Sequence, residues 1–112
     1  MSTPTIADLV TVAQREFRSA FGDKLAVKSC ETFGEAHYRG GFHLTLADAT
    51  DTCEVVYSDL EVEVRFNGSE VFGAKLHTGF SGNMFSREHL REHLPSIAAS
   101  AAAEAQGKQR AG

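Results

Sequence analysis

The sequence predicts one small α+β domain: an N-terminal helix, a four-stranded antiparallel β meander and a kinked C-terminal helix. Apolar residues recur at helical spacing near both ends of the chain, whereas apolar and polar residues alternate through its middle. The length of 112 residues supports one domain with one modest core. We expect this domain to span residues 1–106 and residues 107–112 to form a disordered tail.

Composition narrows the functional classes. Hydrophobic residues make up 42% and charged residues 23%, as is ordinary for a soluble globular domain. The net charge of −4 argues against a general nucleic-acid binder, which needs clustered Lys and Arg. No apolar run approaches a membrane span, and no signal-peptide pattern opens the chain, so a cytoplasmic location is expected.

The small number of cysteines also fits a cytoplasmic location. Cys30 and Cys53 are the only two cysteines, and a disulfide between them requires that their strands be adjacent. The sequence contains no Cys-x-x-Cys motif and no Cys/His spacing typical of zinc. No cofactor is therefore expected.

The first helix has two candidate starts. Thr3 with Pro4 suits a cap followed by the first helical position, and Thr5 with Asp8 forms a capping-box pattern one step later. Gly22 is expected to end the helix in the left-handed region. The apolar stripe consists of Ile6, Leu9, Val10, Ala13, Phe17, Ala20 and Phe21.

Two strands are predicted next, over Lys24–Phe33 and Ala36–Leu46. The first alternates only moderately, and Gly34-Glu35 is the turn between them. Gly40-Gly41 in the second strand indicates a bend or the close approach of another element.

The longest strand-like stretch is Cys53–Phe66, which we interpret as the third strand. Its apolar residues occupy odd positions at first and even positions later. A bulge or bend near Ser58-Asp59 would account for this change of phase.

The fourth strand is predicted from about Glu70 to Thr78. A two-residue turn at Asn67-Gly68 would mix the two faces of the hairpin, whereas a three-residue loop at 66–68 matches them. The preferred register therefore places Val62 opposite Phe72.

The C-terminal helical region follows Ser86, which we expect to cap it. Pro95 predicts a kink, or two shorter helices that meet there. Its buried stripe is expected to be Leu90, Leu94, Ile97, Ala98 and Ala101.

The five histidines are candidate metal ligands or catalytic groups. His89 and His93 are four residues apart and share one helix face, but a solvated face with local ion pairs is the simpler explanation of the repeated Arg-Glu-His-Leu. His37, His43 and His77 fall on the predicted outer sheet face with Glu61 and Glu63, where a merely polar face is the alternative. No catalytic residue and no metal site are assigned.

Two features point to a partner. The glycine-rich loop carries Phe80, Met84 and Phe85, which either pack under the sheet or form an exposed anchor for another protein. Acidic residues also cluster between positions 48 and 63 with no Lys or Arg among them: Asp48, Asp51, Glu54, Asp59, Glu61 and Glu63. Alternation places Asp59, Glu61 and Glu63 on one face, where they would attract a basic groove, or would simply be solvated and prevent edge pairing.

These observations favour a non-enzymatic protein-binding module that docks an acidic sheet face on another macromolecule, such as a nucleoprotein complex. In a concrete version, a small phage-type inhibitor blocks a basic nucleic-acid channel, as anti-CRISPR proteins do. One alternative is a small metal-dependent enzyme that uses histidines and glutamates of the sheet face. The other is a self-associating structural subunit, such as a homodimer.

Overall fold

A computed structural model describes residues 4–33, 40–58, 61–75 and 87–111, and every structural statement below concerns these ranges. The elements, in chain order, are α1 Ile6–Ala20, β1 Ala26–Phe33, β2 Gly41–Ala47, β3 Thr52–Ser58, β4 Glu61–Phe66, β5 Ser69–Lys75 and α2 Arg87–Ala111. The five strands form one antiparallel sheet in the order β1-β2-β3-β4-β5. The α+β class and the flanking helices are confirmed, but the meander has five strands rather than four.

The extra strand arises from the stretch interpreted as one long third strand. Its two halves are β3 and β4, which pair with each other so that Ser58 lies opposite Glu61 and Tyr57 opposite Val62. When two residues separate the paired strands of a hairpin, odd-numbered residues of the first strand lie opposite even-numbered residues of the second. The apolar residues therefore change from odd to even numbers but stay on one face of the sheet. The predicted bulge at Ser58-Asp59 was therefore wrong, because a hairpin produces the same change of phase.

The β4–β5 hairpin has a two-residue turn rather than the predicted three-residue loop. Phe66 lies opposite Ser69, and both turn residues have positive φ, 52° at Asn67 and 86° at Gly68. Positive φ at both positions is what the type I′ turn requires and what Asn-Gly favours.

The apolar residues of β4 and β5 lie on the same face of the hairpin because β5 contains a bulge. Pairing passes from Arg65 opposite Glu70 to Val64 opposite Phe72, which leaves Val71 as the extra residue. Val62 then lies opposite Ala74, not opposite Phe72 as the sequence predicted. Without this bulge, a two-residue turn would mix the two faces, which is why alternation alone favours a three-residue loop.

The start of α1 is set by the second of its two candidate caps. The Thr5 Oγ1 accepts a hydrogen bond from the Asp8 N–H at 3.1 Å, and the Asp8 carboxylate accepts one from the Thr5 N–H, also at 3.1 Å. This reciprocal pair is the capping box. Gly22 follows the helix with φ of 71°, as its predicted role at the C-terminus requires.

A single helix, α2, runs through Pro95 without dividing there. It continues to Ala111 and so includes most of the segment predicted to be a tail. The predicted stripe of Leu90, Leu94, Ile97, Ala98 and Ala101 is buried. Within the described residues, neither helix is long and apolar enough to span a membrane.

The core lies between one face of the sheet and the two helices, and we call that side of the sheet the inner face. It carries the buried side chains Phe42, Leu44, Leu46, Cys53, Val55, Tyr57, Val62, Val64 and Phe66. From the helices, the fully buried members that join them are Ile6, Leu9, Ala13, Phe17, Leu90, Leu94, Ala98 and Ala101. Both helices contribute to this one cluster, so neither of them covers the opposite side of the sheet.

The two cysteines are on strands that do not touch. Cys30 lies on β1 and Cys53 on β3, with β2 between them. Two strand spacings place their Cα atoms roughly 9–10 Å apart, beyond the limit of about 7 Å for a disulfide. Both thiols are free, and burial, with a smaller effect from Glu54, raises the pKa of Cys53 to about 12.

Candidate partner-binding face

The side of the sheet turned away from the helices is the candidate site, and we call it the outer face. Strand register and alternation place on it Ser29, Glu31 and Phe33 from β1, His43 and Thr45 from β2, Glu54, Val56 and Ser58 from β3, and Glu61, Glu63 and Arg65 from β4. None of these side chains is buried. The face is therefore accessible along its whole width in the described part of the chain.

The outer face is predominantly acidic. Its carboxylates are Glu31, Glu54, Glu61, Glu63 and Glu70, where Glu70 belongs to this face because it lies opposite Arg65. The basic residues at outer-face register positions are Arg65 and Lys75. Like charges on neighbouring strands of an open face raise the negative potential of this side of the sheet.

Arg65 partly neutralises the middle of the face. Its Nε donates a hydrogen bond to Glu63 Oε1, and the pair is partly exposed to solvent. The hydrogen bond and charge of Glu63 raise the pKa of Arg65, with smaller contributions from Glu54 and Glu70. The sequence has no Lys or Arg between positions 48 and 63. In the folded chain, however, Arg65 contacts Glu63, which belongs to this acidic run.

His43 also meets a glutamate on this face, although not one of those predicted. Its Nε2 lies 3.3 Å from Glu54 Oε1 on the neighbouring strand β3. Glu63 is one strand farther away, because His43 lies opposite Val56 and Val56 lies opposite Glu63. His37 and His77 lie outside the described residues. Among the residues that are described, no three His, Cys, Asp or Glu side chains are grouped closely enough to hold a metal ion.

Two of the predicted acidic residues lie at the end of the sheet instead of on its outer face. Asp48 and Asp51 belong to the β2–β3 connection, where Asp48 Oδ1 accepts hydrogen bonds from the N–H groups of Thr50 at 2.7 Å and Asp51 at 2.6 Å. Asp51 is buried and accepts a bond from Asn67 Nδ2 at 3.0 Å. Asp and Asn side chains commonly bond to the backbone one turn onward, so these residues shape the loop.

The turn around Asp48 makes stability depend on pH in an expected direction. Hydrogen bonds from the Asp51 and Thr50 N–H groups hold the pKa of the Asp48 carboxyl below its ordinary value. The unfolded chain then binds more protons near pH 4, so this contribution is complete above the unfolded pKa and is lost as the pH falls through the folded one. Asp48→Asn keeps an oxygen acceptor but no longer titrates.

We expect the melting temperature of Asp48→Asn, measured by circular dichroism, to fall less steeply between pH 5 and 2 than that of the parent chain. Asp23→Asn, at an exposed position after α1, is the control and should follow the parent curve. Identical slopes for the parent and Asp48→Asn would contradict the assignment.

No protein-family model, curated protein or solved structure matches this chain. The interpretation of the outer face therefore depends on its own geometry.

That geometry includes an aromatic residue that the sequence did not single out. Phe33 is 47% exposed at the end of β1, and its ring lies over the backbone of Gly41. A Cβ on Gly41 would stand 2.7 Å from the Phe33 Cζ and 2.1 Å from the Tyr57 carbonyl oxygen. The glycine pair in the predicted second strand had indicated this kind of close approach, but it did not identify the neighbouring residue.

A small cleft opens at the end of the sheet near Asp51. It has a volume of about 60 Å³ and is lined by Phe21, Lys24, Leu25, Asp51, Phe66, Ala105 and Gln106. This is the space of roughly two water molecules, well below the size of pockets that hold organic ligands. The cleft is therefore too small to enclose a typical organic ligand.

The remaining predicted residues divide into two groups. Asp59 and the loop residues Phe80, Met84 and Phe85 lie outside the described residues. His89 and His93 belong to α2, where His93 is exposed. Glu54, Glu61 and Glu63 are thus the predicted acidic residues that the fold brings together on the outer face.

Proposed function

We propose that this chain is a non-enzymatic protein-binding module that docks its outer face on a basic surface of another protein. The observation that carries the proposal is an open sheet face with five glutamates, Arg65 and Lys75, opposite the side that both helices cover. An accessible face with one predominant sign of charge favours association with the opposite sign.

The distribution of charge on the face suggests where a partner makes contact. Glu63 is held by Arg65, and Glu54 by His43, so these two carboxylates already have neighbours within the fold. Glu31 on β1 and Glu61 on β4 are exposed, and no ion pair of the described residues includes either one. A basic partner that binds Glu31 therefore breaks no ion pair among the described residues, whereas Glu61 lies opposite Lys75 in the β4–β5 pair.

The partner proposed is a protein whose basic groove normally binds nucleic acid. Such grooves carry clustered Lys and Arg to meet phosphates, and an acidic sheet face competes for the same side chains. An anti-CRISPR-like inhibitor of phage origin is the specific form of this proposal. It acts by occupying the groove and requires no catalytic group.

The test uses two variants with equal changes in charge. Glu31→Gln/Glu61→Gln removes two carboxylates from the outer face, whereas Glu92→Gln/Glu104→Gln removes two exposed carboxylates from α2 on the other side of the molecule. Each tagged protein is used to capture partners from a bacterial lysate, and retained proteins are identified by mass spectrometry. Retention is then measured across a salt series and in the presence of competing DNA or RNA.

We expect the parent chain and the α2 variant to retain the same nucleic-acid-binding protein. The outer-face variant should retain about tenfold less of it, since each carboxylate contributes up to about 1 kcal/mol to such a contact. Salt and nucleic acid should both release the captured protein. The outer face is not the binding surface if both variants retain equal amounts of the partner, or if salt and nucleic acid do not change the amount retained.

A further inference from the structure

Phe33 places an aromatic ring on the acidic outer face. It is the last residue of β1, and it is 47% exposed although its ring lies over the backbone of Gly41. Covering a glycine of the neighbouring strand is a structural use for such a ring. That use engages the side of the ring towards β2 and leaves nearly half of the residue in water, where contact with a partner would bury further apolar surface.

The residues next to Phe33 on the same face are small. In the row that crosses the sheet from Phe33, β2 contributes Gly41, β3 contributes Ser58 and β4 contributes Glu61. A glycine and a serine form a low strip of surface between the ring and the Glu61 side chain. A side chain from a partner can therefore lie against the ring without meeting a bulky neighbour in this row.

A carboxylate lies beside the ring. Glu31 precedes Phe33 by two residues, so both side chains point to the outer face with Cα atoms about 7 Å apart. Glu31 is exposed and lies opposite His43, but the His43 Nε2 is 3.3 Å from Glu54 Oε1 on the far side of β2. No ion pair of the described residues includes Glu31, so its carboxylate can meet a cation of a partner.

An arginine side chain fits this ring and carboxylate better than a lysine side chain does. The guanidinium is planar and weakly hydrated, so it stacks on an aromatic face while its N–H groups reach a carboxylate. Lysine carries its charge on a compact, strongly hydrated ammonium, which gains less from contact with a ring. The long-range field of the other glutamates, by contrast, attracts both cations alike.

We propose that Phe33 and Glu31 form a subsite for an arginine side chain of the basic partner. The guanidinium stacks on the exposed side of the Phe33 ring and donates hydrogen bonds to the Glu31 carboxylate. This subsite rests on the proposed function, because it specifies which side chain of the partner the outer face selects. Partners of equal charge are then distinguished by their arginine content, which net charge alone does not predict.

The test compares labelled hexa-arginine and hexalysine peptides, which carry equal charge, by fluorescence anisotropy with the full chain at neutral pH. We expect the parent chain to bind hexa-arginine more tightly, and the ratio of the two Kd values is the readout. Phe33→Leu keeps an apolar side chain beside Gly41 but lacks the ring. It should weaken binding of hexa-arginine about fivefold and leave binding of hexalysine nearly unchanged. Phe33→Tyr keeps the ring and should retain the parent ratio.

Three further variants separate the ring from the charge, and thermal melting checks that each is folded. Glu31→Gln should weaken hexa-arginine binding more than hexalysine binding, because the lost carboxylate belongs to the subsite. Glu92→Gln removes an equal charge from an exposed position on α2 and should leave the ratio unchanged. Val27→Ala shortens another exposed hydrophobic residue of β1, which pairs with the inner-face Leu46, and should leave both affinities unchanged.

Nuclear magnetic resonance gives a direct signal from the parent chain. A guanidinium stacked on a ring brings the arginine δ-methylene protons over that ring, and the ring current moves their signals upfield. The probe is the peptide Lys-Lys-Arg-Lys-Lys, which carries a single arginine. We expect the upfield shift with the parent chain and with Phe33→Tyr, but not with Phe33→Leu.

The outcomes separate failure of this subsite from failure of the proposed function. The subsite alone is overturned if both peptides bind in a salt-dependent way and Glu31→Gln/Glu61→Gln weakens both, while the parent chain and Phe33→Leu show the same ratio of Kd values. An absent ring-current shift with the parent chain has the same consequence. If neither peptide binds the parent chain, both the subsite and the docking of the outer face on a basic surface are overturned.

Discussion

Replacing Phe17 with alanine is expected to lower the free energy of unfolding by about 3–5 kcal/mol. The Phe17 side chain is fully buried on α1, within the cluster that joins both helices to the inner face. Its removal loses the transfer free energy of the ring and leaves a cavity that rigid neighbours fill only in part. Urea unfolding followed by circular dichroism, with the slope of the transition checked for constancy, measures the change.

Phe33→Ala is the matched control for this loss. It deletes the same ring from an exposed position on the outer face, where Phe33 is 47% exposed. The expected cost is below about 1 kcal/mol, because much of the ring already contacts water. Similar costs for Phe17→Ala and Phe33→Ala would mean that the core is not the layer between the sheet and the helices.

Gly41→Ala is expected to destabilise the fold by about 2–4 kcal/mol, although it adds only one methyl group. The added Cβ would lie 2.1 Å from the Tyr57 carbonyl oxygen and 2.7 Å from the Phe33 Cζ. The exposed Phe33 ring can move aside, but the Tyr57 carbonyl belongs to β3, which pairs with β2. Relief of that contact requires the two central strands to separate locally, which disrupts their hydrogen bonds.

Two companion variants make this result specific. Gly107→Ala lies in α2 with no atom within 4 Å of the new Cβ, and it should stabilise the protein by about 1 kcal/mol through helix propensity. Phe33→Ala combined with Gly41→Ala should remain as unstable as Gly41→Ala alone, since the carbonyl contact persists. Full rescue in the double variant would assign the clash to the ring instead.

Local signals predicted the buried stripes of both helices, but not that α2 runs undivided through Pro95 to Ala111. The capping box at Thr5 and Asp8, the glycine after α1 and the buried stripe of α2 all depend on residues within one or two turns of each other. The inner face was also predictable, because alternation alone decides which side chains of a strand point the same way.

The number of strands and the length of the β4–β5 turn were less predictable, because different arrangements produce the same sequence pattern. A bulge and a two-residue hairpin produce the same change of phase along the chain, so the sequence around Ser58 fits either. The bulge at Val71 likewise hid the two-residue turn at Asn67-Gly68, since the two features together restore matched faces. Which arrangement occurs depends on how distant strands pair.

The candidate site was likewise predictable only in part. Alternation placed Asp59, Glu61 and Glu63 on one side of the sheet, which holds for Glu61 and Glu63 on β4, whereas Asp59 lies outside the described residues. It did not show that Arg65 meets Glu63, that Glu54 meets His43, or that Asp51 is bound by Asn67 instead of facing a partner. The last two contacts join residues 11 and 16 positions apart in the chain.

The sequence by itself therefore determined the buried stripes of both helices and the side of the central strands that enters the core. Those features follow from backbone geometry that repeats every two or 3.6 residues. Only the tertiary structure decided which charges are neighbours, which cysteines are separated and which strand is left at the edge. Those features depend on the pairing of segments far apart in the chain, and no short window of sequence contains both partners.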